Sequence, residues 1–278
     1  MSAATVQTPA PLLAADEPAP YELRPAVGGD AGRFPGPVVV VCDHAANRIP
    51  GALGTLGVPE QRLEDHIAWD IGAAGVARRL AEAIGAAAVL ARYSRLVVDL
   101  NRSLRDPSAF PAISDGVLVP GNLGLDAAAK AARAAALFEP YHGAIRRLLD
   151  DAAAAGEHPV VIAVHSFTPR IYGVARPWHV GVLWDRDPRV ALPLLAALRR
   201  DRALVVGDNE PYSGRHPADF TMDHHAEARG LAHASIEIRQ DLIRDETGQE
   251  GWGERLAACL AEVLARAELY RPLGAGAG

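Results

Sequence analysis

The sequence predicts a single α/β domain built on a mostly parallel, mixed sheet with helices on both faces. Three observations predict it. Short runs of β-branched and small apolar residues recur along the chain, bounded by Pro or polar residues, as strands buried on both faces require. Between them lie Ala-rich segments whose apolar positions recur at helical spacing. The two signals alternate, which builds parallel strand pairs joined by crossover helices. The 278 residues are 49% hydrophobic and 22% charged, ordinary globular usage and enough chain for one large sheet.

Residues 1–34 are rich in Ala and Pro without a clear period. They are expected to form a poorly ordered leader, partly docked on a domain of residues 35–278. Pro37 to Cys42 is a continuous β-branched run and predicts a buried strand. It ends in the polar burst Asp43-His44-Ala45-Ala46-Asn47, and such strand ends carry the chemistry of open α/β sheets. From Glu64 to Ile84, Ile67, Ile71, Val76 and Leu80 mark a helix that Gly85 stops. Ala86 to Ala91 reads as a strand leading to the segment Arg95 to Arg102. Residues 126–155 read as Ala-rich helix interrupted near Pro140. Pro159 to Val164 is a second buried strand, followed by His165 and Ser166. Val180 to Trp184 is a third. Pro188 to Arg200 predicts a helix and Ala203 to Val206 a strand. Ala234 to Arg239 alternates as a strand, and Trp252 to Leu269 closes the chain as a helix.

The formal net charge is −6, which argues against a nucleic-acid partner, since such proteins displace phosphate counterions with basic patches. Cys42 and Cys259 lie far apart beside apolar runs and read as buried thiols in a reducing compartment, not as a disulfide. No apolar run is long enough to span a membrane, and the N-terminus lacks a signal-peptide pattern. A soluble, cytoplasmic protein is expected, with oligomerisation left open. No dinucleotide, P-loop or nucleophile-elbow motif falls in a credible strand–turn–helix context.

The polar residues say more. His44 and His165 each follow a core strand, and Asp70 falls in the helix expected after the first. Two imidazoles and a carboxylate leave one coordination position open, the pattern of catalytic zinc, where a bound water ionises near pH 7. A strand-end histidine serves equally well as a hydrogen-bonding cap, so spacing alone leaves both readings open. Asn101 and Arg102 offer an amide donor and a planar fork suited to a carboxylate, with Arg92 and Arg95 adding positive charge just upstream. Alternatively, Arg102 pairs with Asp99 or another acidic residue in a structural salt bridge. Glu237 stands between Ile236 and Ile238, costly to bury unless it is paired or functional. It is a candidate general base, or else it faces solvent or pairs with Arg239. Of His224 and His225, at most one faces a site if they lie on a strand. His66, His142, His158, His179, His216 and His233 read as surface or supporting residues.

The segments Asp43 to Pro50, Tyr93 to Arg102, Val164-His165-Ser166 and Ile236-Glu237-Ile238 resemble the N-formylglutamate amidohydrolase family. The resemblance runs from about Val38 to the C-terminal helix, and Tyr93 to Arg102 is its most specific part. It implies a fold similar to that of zinc carboxypeptidases and aspartoacylases. It also implies an amide hydrolase that uses one Zn²⁺ per chain, with metal-bound water as nucleophile and a small N-acyl amino acid, such as N-formylglutamate, as substrate. His44 and His165 then become zinc ligands, Asp70 the third ligand, and Glu237 the general base. Asn101 and Arg102, with Arg95 nearby, become the substrate-binding residues. Two departures stand out. Position 47 is Asn where the related enzymes carry the Glu of a His-x-x-Glu motif, which leaves the third ligand between Asp70 and Asn47. The segment Asp208 to Gly214 lacks a Phe-Lys-Gly-Gly-type stretch, which marks a divergent branch.

Overall fold

A computed structural model describes residues 11–26, 37–215 and 219–274. The described residues form a seven-stranded sheet. Its strands are β1 (Tyr21–Arg24), β2 (Val38–Cys42), β3 (Ala87–Ala91), β4 (Val160–Phe167), β5 (Val180–Leu183), β6 (Val206–Asp208) and β7 (His233–Arg239). The spatial order is β1-β3-β2-β4-β7-β5-β6. The four central strands, β3, β2, β4 and β7, run parallel. β1 pairs antiparallel with β3, and β5 antiparallel with β7, while β6 follows β5 in parallel. The mixed, mostly parallel sheet expected from the sequence is therefore the one observed.

The helices are α1 (Ala73–Ile84), α2 (Ala127–Arg133), α3 (Glu139–Ala154), α4 (Pro188–Leu198), α5 (Phe220–His225) and α6 (Glu246–Leu264). Strand side chains alternate between the two faces of the sheet. Val38, Val40, Cys42, Ile162 and Val164 pack against α1, α4 and α6. Val39, Val41, Val161 and Ala163 pack against α3 and the connection after β3. Val39, Val40 and Val41 have no exposed surface. Each contributes at most about 1.5–3 kcal/mol by burial, and this explains why the strand reads as an unbroken apolar run.

Several boundaries differ from expectation. α1 starts at Ala73 and not at Glu64, with only one helical turn, Glu60–Leu63, upstream. The backbone N–H of Asp70 donates to the carbonyl of His44 (2.9 Å), and Gly72 adopts φ +81°, so the chain between them is bent out of a helix. Asp70 consequently sits in the loop that enters α1. The interruption near Pro140 is a π-helical turn, Ala134–Phe138, that joins α2 to α3. β4 runs on to Phe167, so His165 and Ser166 lie inside a strand; β7 pairs with it over that whole stretch. β6 begins at Val206, because the carboxylate and carbonyl of Asp201 hold Ala203 and Leu204 in a turn. α6 starts at Glu246, capped by Asp245, and ends at Leu264. His224 and His225 belong to α5, not to a strand. The expected leader falls partly on residues 1–10 and 27–36, which lie outside the described residues; between them, Tyr21–Arg24 forms the edge strand β1.

Gly72 gives a direct test of how α1 is set. A Cβ there would lie 2.0 Å from the carbonyl oxygen of Ile243, on a backbone already at positive φ. Gly72→Ala is expected to destabilise the fold by about 2–3 kcal/mol, read as a lower urea midpoint at unchanged m-value.

Candidate active site

The chemistry gathers at the C-terminal ends of β2, β4 and β7. Residue parity explains why. His165 follows Val161 and Ala163 on one face of β4, and Asp43 continues the Val39–Val41 face just beyond β2. In the β4–β7 ladder Glu237 lies beside His165, and Ser235 beside Ala163. Three adjacent strands thus present Asp43, His165 and Glu237 to the same side. The loop entering α1 adds Asp70, and the segment after β3 adds Arg95, Asp99, Asn101 and Arg102. Of these, Asp70, Arg95, Asn101, Arg102, His165 and Glu237 border a cavity of about 330 Å³, together with His44, Ser166, Leu183, Tyr212, Ser213 and Asp219, while Asp43 and Asp99 stand behind its wall. Its volume is at the small end for ligand pockets.

His44, Asp70 and His165 are buried, and their ligand atoms lie within 4.8 Å of one another. Nδ1 of His44 is 3.4 Å from Oδ2 of Asp70, and Nδ1 of His165 is 2.8 Å from the same oxygen. The opposite ring nitrogens face other carboxylates. Nε2 of His44 donates to Oδ1 of Asp99 (2.7 Å). Nε2 of His165 is 3.3 Å from Oδ2 of Asp43, an ion-pair contact too poorly aligned for a hydrogen bond. A histidine whose far nitrogen faces a carboxylate keeps its proton there and turns the near nitrogen to a metal. With two imidazoles and one carboxylate, the donor set suits a divalent cation such as zinc. Protons and such a cation compete for the same lone pairs. Burial opposes charge on both imidazoles, yet Asp99 and Asp70 raise the pKa of His44, and Asp43 and Asp70 raise that of His165 well above the ordinary value. Asp70 is likewise held below the carboxylate range, despite burial, by the two imidazoles.

The supporting carboxylates are themselves fixed. Oδ1 of Asp43 accepts from the hydroxyls of Tyr141 (2.8 Å) and Thr221 (2.9 Å). Oδ2 of Asp99 accepts from Nε and Nη2 of Arg95 (3.2 and 2.8 Å), whose Nη1 reaches Oδ1 of Asp70 at 3.5 Å. Arg95, rather than Arg102, is therefore the partner of Asp99. The guanidinium of Arg102 donates to the carbonyl of Asn101 (3.2 Å) and borders the cavity. Oδ1 of Asn101 accepts the backbone N–H of Thr221 (2.9 Å), which fixes the amide orientation and turns its Nδ2 away from that contact.

Glu237 is 6% exposed, and its Oε2 has no hydrogen-bond partner among the described residues. Arg239 pairs with Asp241 instead (2.8 Å). Burial is the main cause that lifts the Glu237 carboxyl to about 7; His165 opposes the rise and Asp70 adds to it. A carboxyl that titrates near pH 7 beside a donor set suited to a divalent cation suits proton transfer.

Asn47 does not border the cavity, and its Nδ2 donates to the carbonyl of Leu63 (3.0 Å). His225 is buried against His142, whose Nε2 donates to the carbonyl of Leu100 (2.9 Å) while its Nδ1 accepts from Nε2 of His225 (2.9 Å). His224 is exposed, and neither α5 histidine borders the cavity. His216 lies outside the described residues. The sequence reading passed over Asp43, Tyr141, Thr221 and Tyr212. Asp43 alone carried a signal, as the first polar residue after a fully apolar strand.

The N-formylglutamate amidohydrolase family model matches residues 36–244. The crystal structure of gene product Atu2144 from Agrobacterium tumefaciens is 37% identical and superposes with a TM-score of 0.86, covering 92% of this chain and 99% of that one. N-formylglutamate amidohydrolase from Ralstonia eutropha JMP134 is 20% identical with a TM-score of 0.62, over 89% of this chain and 97% of that one, a likeness of fold. No curated protein matches. With the family model spanning strands β2 to β7 and every residue of the cavity's polar wall, the chain belongs to the N-formylglutamate amidohydrolase family.

Proposed function

We propose that the protein hydrolyses the amide bond of an N-acyl amino acid, N-formyl in the first instance and acidic in its side chain, with Glu237 as general base and one zinc ion held by His44, Asp70 and His165. The observation that carries this reading is Glu237: a buried carboxylate with an oxygen unpartnered among the described residues, next to His165 on the adjoining strand and facing a small cavity. A cation in the donor set supplies Lewis acidity, lowering the pKa of water and offsetting negative charge that develops on the acyl oxygen.

This chain's own residues do the rest. Glu237 takes the proton from the attacking water and passes it to the leaving amine. Asn101 Nδ2 and the Arg102 guanidinium hold the substrate's α-carboxylate and thereby orient the amide for attack. Arg95 borders the cavity, but its bonds to Asp99 and Asp70 make it a strut for the donor set; its effect on substrate is through its field. The complete His-Asp-His set, formed without Asn47, supports catalysis over mere binding.

Purified protein is expected to carry about one zinc per chain, the stoichiometry of a catalytic site, and to release amine from N-formyl-L-glutamate in a chelator-sensitive reaction. Fully zinc-loaded protein inert towards N-formyl and N-acetyl amino acids would refute the reading.

The carboxylate anchor has its own test. Arg102→Met is expected to cost on the order of 2–5 kcal/mol in kcat/KM, part of it the penalty for stranding the substrate carboxylate. Amidating the substrate's α-carboxylate should cost the wild type a similar amount. In a cycle of both enzymes with both substrates the losses should not add, because each change removes the other's partner. Full additivity would move the carboxylate to another group.

A further inference from the structure

We propose that Arg176 is the anchor for a second carboxylate, the acidic side chain of the N-acyl amino acid; this rests on the function proposed above. Tyr212 borders the cavity and is 42% exposed. Nη1 of Arg176 donates to the Tyr212 hydroxyl (2.9 Å), and its guanidinium lies over the Tyr212 ring, 4.7 Å from the centroid. The guanidinium is also 5.9 Å from the centroid of the buried Phe167 ring. Phe167 is two residues beyond His165 on β4, so the strand that presents a cation ligand also floors the arginine.

What distinguishes Arg176 is its company. Among the described residues it has no carboxylate partner; a hydroxyl and two aromatic rings hold it in place. The two arginines that border the cavity differ. Arg95 is bonded to two carboxylates, and Arg102 donates to the carbonyl of Asn101 beside the proposed α-carboxylate anchor. A dicarboxylic substrate is well served by two cationic forks, and Arg95 already commits three of its five N–H groups to Asp99 and Asp70, which neutralise its charge. Among the described residues Arg176 keeps its Nε and Nη2 donors for a ligand. Its backbone is fixed as well: its N–H donates to the carbonyl of Pro169 (2.9 Å), closing the ribbon formed by Arg170–Ile171 and Val174–Ala175. A planar fork stacked on aromatic rings and fixed at its base loses little freedom on binding a carboxylate.

The test compares kcat/KM for N-formyl-L-glutamate with that for its neutral isostere N-formyl-L-glutamine, in the zinc-loaded wild type, Arg176→Met and Arg176→Lys. The wild type should favour the acid by about 10–100-fold, the scale of a hydrogen-bonded charge pair. Arg176→Met, which keeps an apolar stem against Tyr212, should bring the ratio to near unity, and Arg176→Lys should retain part of it. A wild type without preference, or a preference that survives Arg176→Met, overturns the assignment. If neither these two nor the N-acetyl amino acids are hydrolysed the parent reading falls; the dissociation constants of the two compounds, measured by calorimetry on the three proteins, then give the same ratio, and equal affinities overturn this inference too.

Discussion

Glu237→Gln is expected to lower kcat by about 10²–10⁴, the scale of a lost general base, while zinc content and fold stay unchanged. The amide keeps the shape of the carboxylate, so the β4–β7 ladder and the packing of Ile236 and Ile238 are undisturbed. What disappears is a group able to accept a proton. A second measurement separates this role from a structural one. Burial lifts the carboxyl to about 7, above its ordinary value of 4.5. The carboxyl therefore contributes stability that is fully present below 4.5 and lost as pH rises through 7. Metal-free Glu237→Gln, which never has to bury a charge, should then be more stable than metal-free wild type above pH 7, by on the order of 3 kcal/mol. A catalyst weakened and a fold strengthened by one atom exchange is the signature of a functional buried acid. Near-normal turnover in the variant would end the general-base assignment.

His165→Ala and His44→Ala are expected to abolish turnover by emptying the metal site. Each removes one of three donors, and zinc affinity should fall by more than the roughly 10–100-fold that attends loss of an outer partner. Asp43→Asn supplies that comparison, since it changes the group facing Nε2 of His165 without touching a donor atom. Zinc per chain, measured by plasma mass spectrometry after gel filtration, should be low in both alanine variants and intermediate in Asp43→Asn. The fold should survive, because β2 and β4 are held by apolar contacts on both faces. Unchanged zinc in both alanine variants would place the metal elsewhere.

The parts legible in the sequence were those with a local signature. The β-branched runs of β2 and β4 announced buried strands, and Glu237 between two isoleucines announced a carboxylate out of place. The start of α1 was hidden, because Ile67 keeps helical spacing with Ile71 yet packs against the opposite face of the sheet from α1. β1 has only four residues, too few to show alternation in an Ala- and Pro-rich stretch. The hydroxyls that hold Asp43 come from 98 and 178 residues away, and nothing near Tyr141 or Thr221 marks them. That Arg95 takes Asp99 while Arg102 turns to the cavity is likewise set by tertiary placement, since both arginines sit close to the same aspartate in sequence.

The place of β7 has a consequence for how the chain comes together. Among the described strands of the sheet it comes last in the chain, yet it is wedged between β4 and β5 and joins them. Until residues 233–239 leave the ribosome, the half-sheet of β1, β3, β2 and β4 and the pair β5 and β6 have no edge in common, and both carry unpaired backbone. Sheet closure must therefore wait for a late, long-range insertion, the kind of step that slows folding and leaves apolar edges open to wrong partners. Because that insertion also seats Glu237 beside His165, the proposed proton acceptor reaches its station only when the sheet is sealed.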